Sequence, residues 1–579
     1  MTVRGYKIAL LPVLVVSLYA AEDLLVLRGV SGHSGGSLEY SQRTEPKSLN
    51  PAFAGDNPSR EIIHRIMADL IHINRETQLT EPALAKSWKV SSDGLRYTLE
   101  LRQGVRFSDG HAFDADDVLF SFQVYLDEKL DSPQRDLLVI DGKPIVVRKL
   151  DQFHVVVELP RVYAAAERLF DGLSMLPRHL LEKTWREGKF ADAWGLRTPP
   201  SEIAGLGPYR LKSYIPGQRI ELARNPYYWK TDGAGHRLPY LDSVAFRFAG
   251  TEDLQTMQFE TGESDILNRV GAHNFTVLEK ERDRRGYVLR DLGPGLEYSV
   301  LFFNLNDLGA GASREAAAHQ AFLSRVAFRK AVSLGIDRDA MVRLVYLGHA
   351  AALSSPVPLG NKNWIDHQIP PPVRNVAKAR ELLAAAHFSW DAAGGLKDPD
   401  GHAVEFSILA SASNAERVQM AGLMQDDLKA LGMQVHVATM DTRSILNRVQ
   451  RSHDYDACLL TLQEADTDPT PDMPLWHSSG ANHLWRPEQK SPATPWEAEI
   501  DHLMQQQMVT PQFAARKRLY DRVQELVAAN VPLIPLISPN ILVGAKASLA
   551  NFRPSVLDHY TLWNIEELYW RGPTPGARP

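Results

Sequence analysis

Residues 84–122 read LAKSWKVSSDGLRYTLELRQGVRFSDGHAFDADDVLFSF. Trp88 and Val90 end a short strand. Ser91-Ser92-Asp93-Gly94 is a turn, because Asp-Gly tolerates the positive φ of tight hairpins. Leu95, Tyr97, Leu99 and Leu101 alternate with Arg96, Thr98, Glu100 and Arg102, the period of a half-buried strand. Gly104 and Ser108-Asp109-Gly110 punctuate the next segment. Asp114 is placed to cap a helix whose first turn holds Asp116 and Asp117, where the helix dipole favours acids. Val118, Leu119 and Phe122 give that helix an apolar side. Local chemistry therefore gives a hairpin leading into a capped helix.

A chain of 579 residues can bury a large core and hold more than one domain. Hydrophobic residues make up 44% and charged residues 23%, as in ordinary globular proteins. The net charge of -6 gives no reason to expect nucleic acid as a partner. The single cysteine, Cys458, lies in an apolar run. It cannot form a disulfide within one chain or a zinc cluster, and is expected to be a small buried hydrophobe. Arg4 and Lys7 precede an apolar run over 8–19, and Ala20 and Ala21 offer small residues for cleavage. A signal peptide over 1–21 is therefore expected, with export to the periplasm. Leu18 or Tyr19 would sit three residues before the cut, so an uncleaved anchor is the alternative.

The order of the quoted stretch, from Ser87-Trp88 through Asp109-Gly110 to Phe113-Asp114-Ala115-Asp116-Asp117-Val118, resembles the signature of the family 5 extracellular solute-binding proteins of bacterial ABC importers. That family includes the peptide- and nickel-binding proteins. Further matches follow in order: Glu45-Pro46-Lys47-Ser48-Leu49-Asn50-Pro51, Gly205-Leu206-Gly207-Pro208-Tyr209, "ETGESDI" over 260–266 and "FRKAVSLGIDRDAMV" over 328–342. The resemblance implies an α/β fold of two lobes, the type II periplasmic-binding-protein or Venus-flytrap form, with an extra small subdomain in the first lobe. It implies lobe I over 37–54, 191–298 and 538–579, the additional subdomain over 55–190, and lobe II over 299–537, after a linker at 22–36. With no cysteine near the leader, the lipid anchor of many relatives is not expected.

Along the chain, 38–43 reads as the first strand and 60–74 as a helix. Val139 to Leu159 reads as a hairpin, and 298–305 as a fully buried strand. Asp337 caps a helix that Gly348 stops. Residues 405–410, 414–431 and 433–438 read as strand, helix and strand. These strands are expected to be parallel with a right-handed crossover. Residues 454–480 look loop-like, and 511–530 reads as a long amphipathic helix.

Two lobes leave a cleft between them, and such clefts are the usual small-ligand sites. The resemblance places ligand contacts in two segments. Gly55, Asp56 and Asn57 would offer backbone groups to an extended ligand, pairing by strand addition. Leu462, Gln463, Glu464 and Asp466 form the second, where peptide-binding relatives set an aspartate against the ligand's α-amino group. That acid normally lies four residues before the proline, where this chain has Ala465; Asp466 is the first choice and Glu464 the second. Trp476 and Trp485 are expected either to line the pocket or to pack in the core.

The function expected is therefore capture of a peptide or similar solute by a monomer, without cofactor, and its delivery to an inner-membrane ABC permease. An exported hydrolase is the contrasting class. Gly32-His33-Ser34-Gly35-Gly36 matches G-x-S-x-G, but without the preceding core strand and following helix that a nucleophile elbow needs. No H-E-x-x-H and no P-loop occur. A carrier of a metal chelate or haem is a further alternative, for which His453, His477 and His483 are candidates.

Overall fold

The computed structural model describes residues 22–309, 313–464, 466–487 and 489–572. The expected signal peptide lies outside them. Two mixed sheets organise the chain. In the first, Tyr209–Ile215, Arg219–Arg224, Ser243–Phe248, Ser37–Gln42, Ile266–Leu267, Ile537–Lys546 and Tyr287–Pro294 lie side by side in that order, and Ala350–Ala352 pairs with Ile537–Lys546. In the second the order is Gln434–Met440, Glu405–Ser411, Ala457–Gln463, Glu297–Phe303 and Leu533–Pro535.

Each sheet has its own hydrophobic core. Leu38, Tyr40, Val244 and Phe246 are buried in the first. Val300, Phe302, Ile408 and Leu459 are buried in the second. The chain passes between the sheets twice. Tyr287–Pro294 runs into Glu297–Phe303, and Leu533–Pro535 runs into Ile537–Lys546. The two crossings are bonded to each other: Leu536 N donates to Ser299 O at 2.9 Å, and Ser538 Oγ donates to Glu297 O at 2.7 Å. Such crossing segments between two lobes are where hinge residues lie.

The opening stretch folds as read. Ala85–Val90 and Arg96–Leu101 pair antiparallel in a sheet completed by His154–Glu158 and Val146–Asp151. Asp114 and Asp117 form a reciprocal capping box at the head of Ala115–Leu126. The core of this subdomain is continuous with that of the first sheet. The strand–helix–strand unit is also present, with Glu405–Ser411 parallel to Gln434–Met440 and Asn414 capping Ala415–Lys429.

Four expectations are corrected. The helix expected over 60–74 is Asn57–Ile66, and Ile71–Ile73 is instead a strand paired with Thr80–Pro82. Its alternation of buried and half-buried residues outweighs the helical spacing of the upstream isoleucines. The linker at 22–36 contains Leu25–Leu27, which pairs in parallel with Lys230–Asp232, because its leucines pack on the first core. The region 139–159 holds two hairpins, one joining Val139–Ile140 to Lys143–Pro144 and one joining Val146–Asp151 to His154–Glu158. The loop-like segment 454–480 contains the central strand Ala457–Gln463, which buries Cys458 completely.

Candidate ligand-binding cleft

Between the two sheets lies a cavity of about 890 Å³. One wall comes from the first sheet and its helices, through Gln42, Glu61, Asp253 and Arg269. The other comes from the second lobe, through Tyr346, Asn414, Glu416 and Thr461. Glu297, beside the hinge, also lines it.

Strand pairing explains why backbone is presented here. Ala457–Gln463 pairs with Glu297–Phe303 along its whole length, but on its other side only Ala457 and Cys458 meet Glu405–Ser411. The end of the strand, with Thr461 and Gln463 at the cavity, therefore has one edge without a partner strand. Ser37–Gln42 behaves similarly. It pairs with Ser243–Phe248 throughout, but touches Ile266–Leu267 only at Tyr40, leaving Ser41 and Gln42 at the cavity.

Most charges on the walls are already engaged. Arg43 pairs with Glu252 at 2.9 Å. Arg269 pairs with Glu297 at 2.6 Å, with its guanidinium over the ring of Tyr560. Burial alone would raise the pKa of Glu61, but His559 at 2.7 Å and Arg65 at 3.1 Å outweigh it and hold the carboxyl at about 2. Arg417, behind the wall, donates from Nε to Thr461 Oγ1 at 2.9 Å.

Of the residues singled out from the sequence, Asn57 and Gln463 line the cavity. Asp56 caps helix Asn57–Ile66 by accepting from Ser59 N at 3.0 Å, and Gly55, exposed, precedes it. Leu462 is half-buried and packs against the second core. Glu464 is 3% exposed and takes a hydrogen bond from Asn361 Nδ2 at 2.8 Å. Burial pushes its pKa well up, with the neighbouring Asp472 adding to the effect. Asp466 is forked by the guanidinium of Arg168. Trp476 and Trp485, 2% and 0% exposed, belong to the second core, where Trp485 Nε1 donates to Glu497 at 3.1 Å. The packing alternative is the one the structure shows for both tryptophans.

The histidines considered for a metal or haem are scattered. His483 is fully buried beside Leu475 O, His477 contacts Gln505, and His453 carries a left-handed turn. Among the described residues, the His/Asp/Glu group close enough to share a metal ion is Asp69, His72 and Asp171, outside the cleft. Arg75 already forks Asp171 there.

Sequence reading missed Arg269, Glu416, Tyr346 and Asn540. They stand far apart in the chain, and only the hinge brings them together. The one available signal was Asn414, read within a helix, since a cap places the following residues at a helix mouth.

A family model for bacterial extracellular solute-binding proteins, family 5, matches residues 80–483. The chain belongs to that family. Family 5 proteins bind solutes and are not enzymes, so the hydrolase alternative falls away. Among curated proteins, the chain is 26% identical over 418 residues to a probable ABC transporter-binding protein of Deinococcus radiodurans, covering 70% of this chain and 69% of that protein. It is 23% identical over 546 residues to the oligopeptide-binding protein AppA of Bacillus subtilis, covering 93% and 92%. Among solved structures, NikA of Brucella suis in complex with Fe(III)-EDTA superposes with a TM-score of 0.75 at 22% identity, over 92% of this chain and 100% of that one. The family 5 fold thus extends over nearly the whole described chain. Among the described residues no helix is long and apolar enough to cross a membrane.

Proposed function

We propose that this family 5 protein captures a peptide or similar hydrophilic solute in the interlobe cleft and delivers it to an ABC permease of the inner membrane. The observation that carries the reading is the pair of strand ends, Ser41–Gln42 and 461–463, which reach the same cavity from opposite lobes without partner strands on one edge. An extended main chain laid between such edges gains hydrogen bonds without its side chains being read. AppA of Bacillus subtilis, named for oligopeptide binding, supports the same reading. Ligand would favour the closed arrangement of the lobes. The export expected from the leader would place the protein in the periplasm. Small-angle scattering and calorimetry with a panel of short peptides test the proposal. Compaction that saturates with binding is the expected result; binding without compaction argues against a hinged cleft.

A further inference from the structure

The walls of the cleft are short of one kind of charge. Both guanidiniums that line it are engaged, Arg43 by Glu252 and Arg269 by Glu297. Glu61 is held by His559 and Arg65. Two lining carboxylates remain without a cationic partner among the described residues. Asp253, on the first-lobe helix Glu252–Thr261, receives only the neutral amide of Asn274 at 3.0 Å. Glu416 stands exposed in the first turn of Ala415–Lys429 in the second lobe, with no side-chain hydrogen bond among the described residues. The positive end of the helix dipole favours an acid at that place. The adjacent Arg417 does not neutralise it: its guanidinium bonds Thr461, and neighbouring residues on a helix do not face each other.

A second, independent feature points the same way. Gln42, 7% exposed, lines the cleft. Its amide nitrogen donates to the carbonyls of Thr44 and Pro58, at 2.9 and 3.3 Å. Its Oε1 is buried without a hydrogen-bond donor among the described residues. Asn540, on the same walls, is built alike: Nδ2 is fixed on Asp291 and Oδ1 is left unsatisfied. Buried acceptors left unpaired are costly, so a donating group that reaches them as the lobes close around it is favoured. The loop carboxylate expected from the sequence to face an ammonium, Asp466, is consumed by Arg168.

We infer that the solute presents a cationic, hydrogen-bond-donating group, an ammonium or guanidinium, to Glu416, with Asp253 as the acid on the opposing lobe. This rests on the cleft being the solute site, and it names the class of solute. A solute with an unpaired carboxylate finds no vacant guanidinium or ammonium among the described residues of these walls, with only the His273 imidazole to meet it, and is disfavoured.

The test uses the full chain and four probes: tri-lysine and tri-alanine, both as C-terminal amides, N-acetyl-tri-alanine amide and a neutral tetrasaccharide. Calorimetry should rank tri-lysine tightest and the acetylated amide at least tenfold weaker. Glu416→Gln should weaken tri-lysine tenfold to a hundredfold and leave the acetylated amide within twofold. Raising salt from about 50 to 500 mM should weaken tri-lysine several-fold, because exposed charge attraction is screened. Glu416 is exposed, so circular dichroism should show the variant folded; Asp253→Asn gives a second, independent loss. Equal affinities for charged and acetylated probes, or binding of the tetrasaccharide alone, would overturn the inference. Scattering separates this from the broader reading: compaction by a neutral probe keeps the cleft and rejects the charge preference. If no probe binds or compacts the protein, both fail.

Discussion

Arg168 and Asp466 meet across the two lobes. The guanidinium comes from the short helical turn Ala166–Phe170 of the additional subdomain, and the carboxylate from the loop after the central strand Ala457–Gln463 of the second lobe. Arg168 also donates to Thr467 Oγ1 at 2.9 Å and to Gln78 O at 3.1 Å. Nearby, Gln78 Nε2 reaches Gly360 O at 3.0 Å, and Ala164 N reaches Met508 O at 2.8 Å. The subdomain is therefore tied to the second lobe away from the hinge.

Breaking this tie from one side should loosen the resting shape. The side chains are 14% and 20% exposed, so water screens part of the loss. Asp466→Asn is expected to cost about 1–3 kcal/mol, most of it from leaving Arg168 unpaired. Arg168→Met with Asp466→Leu should recover part of that cost. Urea midpoints for the single and double variants check the energy, and scattering checks the shape. An unchanged radius of gyration in Asp466→Asn would show that the tie does not hold the lobes.

Trp485 should report stability and be silent on ligand. Its indole donates to Glu497, which also receives Arg486, Thr494 Oγ1 and Ala493 N. Burial alone would raise the Glu497 pKa, but His483 and Arg486 outweigh it and hold the carboxyl at about 2. Trp485→Phe is expected to cost about 2–4 kcal/mol from the smaller side chain and the lost hydrogen bond. Solute affinity by calorimetry should stay within twofold. A large affinity loss in a folded variant would place the ring at the ligand after all.

Much of the fold was legible because its signals are local. Asp114 caps a helix through its own neighbours, and 95–101 alternates with a period that needs no distant partner. The corrections share a cause. Leu25–Leu27 is a strand only because Lys230–Asp232 lies beside it. Ile71–Ile73 is one only because Thr80–Pro82 returns to it. The site was less legible for the same reason. Asp466 is the acid that the resemblance singled out, but its partner Arg168 lies 298 residues away in sequence, and no pattern in either segment announces the other.

A glycine pair gives a sharp packing test. Gly205 runs so close to the end of helix Asn57–Ile66 that a Cβ there would stand 2.1 Å from Ile66 O and 2.8 Å from Met67 Sδ. Backbone cannot yield as a flexible side chain can, so Gly205→Ala should cost at least about 2 kcal/mol. Gly422, inside helix Ala415–Lys429, has nothing within 4 Å of the corresponding position. Gly422→Ala should stabilise by about 0.5–1 kcal/mol through helix propensity and reduced chain entropy. Thermal unfolding of the two variants should therefore move in opposite directions, and a shared direction would contradict the close approach at Ile66.

The acidic loop predicts how stability varies with pH. Four carboxyls stand close in sequence there, and two have guanidinium partners: Asp466 with Arg168, and Asp468 with Arg516 at 2.8 Å. Asp472 has none among the described residues. Burial, with the nearby charges of Asp466 and Asp468 adding to it, pushes its pKa up to about 8. In the unfolded chain the same group titrates near about 4. Between those values the folded protein keeps a proton that the unfolded chain has released, so stability falls as pH rises through the window. His72 works with the same sign at higher pH. Burial pulls its pKa down, but Asp69 and Asp171 outweigh this and raise it to about 9, so its contribution is present below about 6.5 and lost as pH rises through 9. Glu61 and Glu497, both held at about 2, act in the opposite direction and lose their contribution as pH falls from about 4 toward 2. The window from 4 to 8 can be assigned by removing one charge without changing size. Asp472→Asn should match the wild type near pH 4 and exceed it by about 1–3 kcal/mol at pH 8, where the wild type bears the strain of a buried acid near ionisation. Urea unfolding at pH 4, 6 and 8 measures the difference directly. A variant less stable than the wild type at pH 8 would mean that Asp472 is ionised and paired in the folded protein, and that a cation reaches the loop.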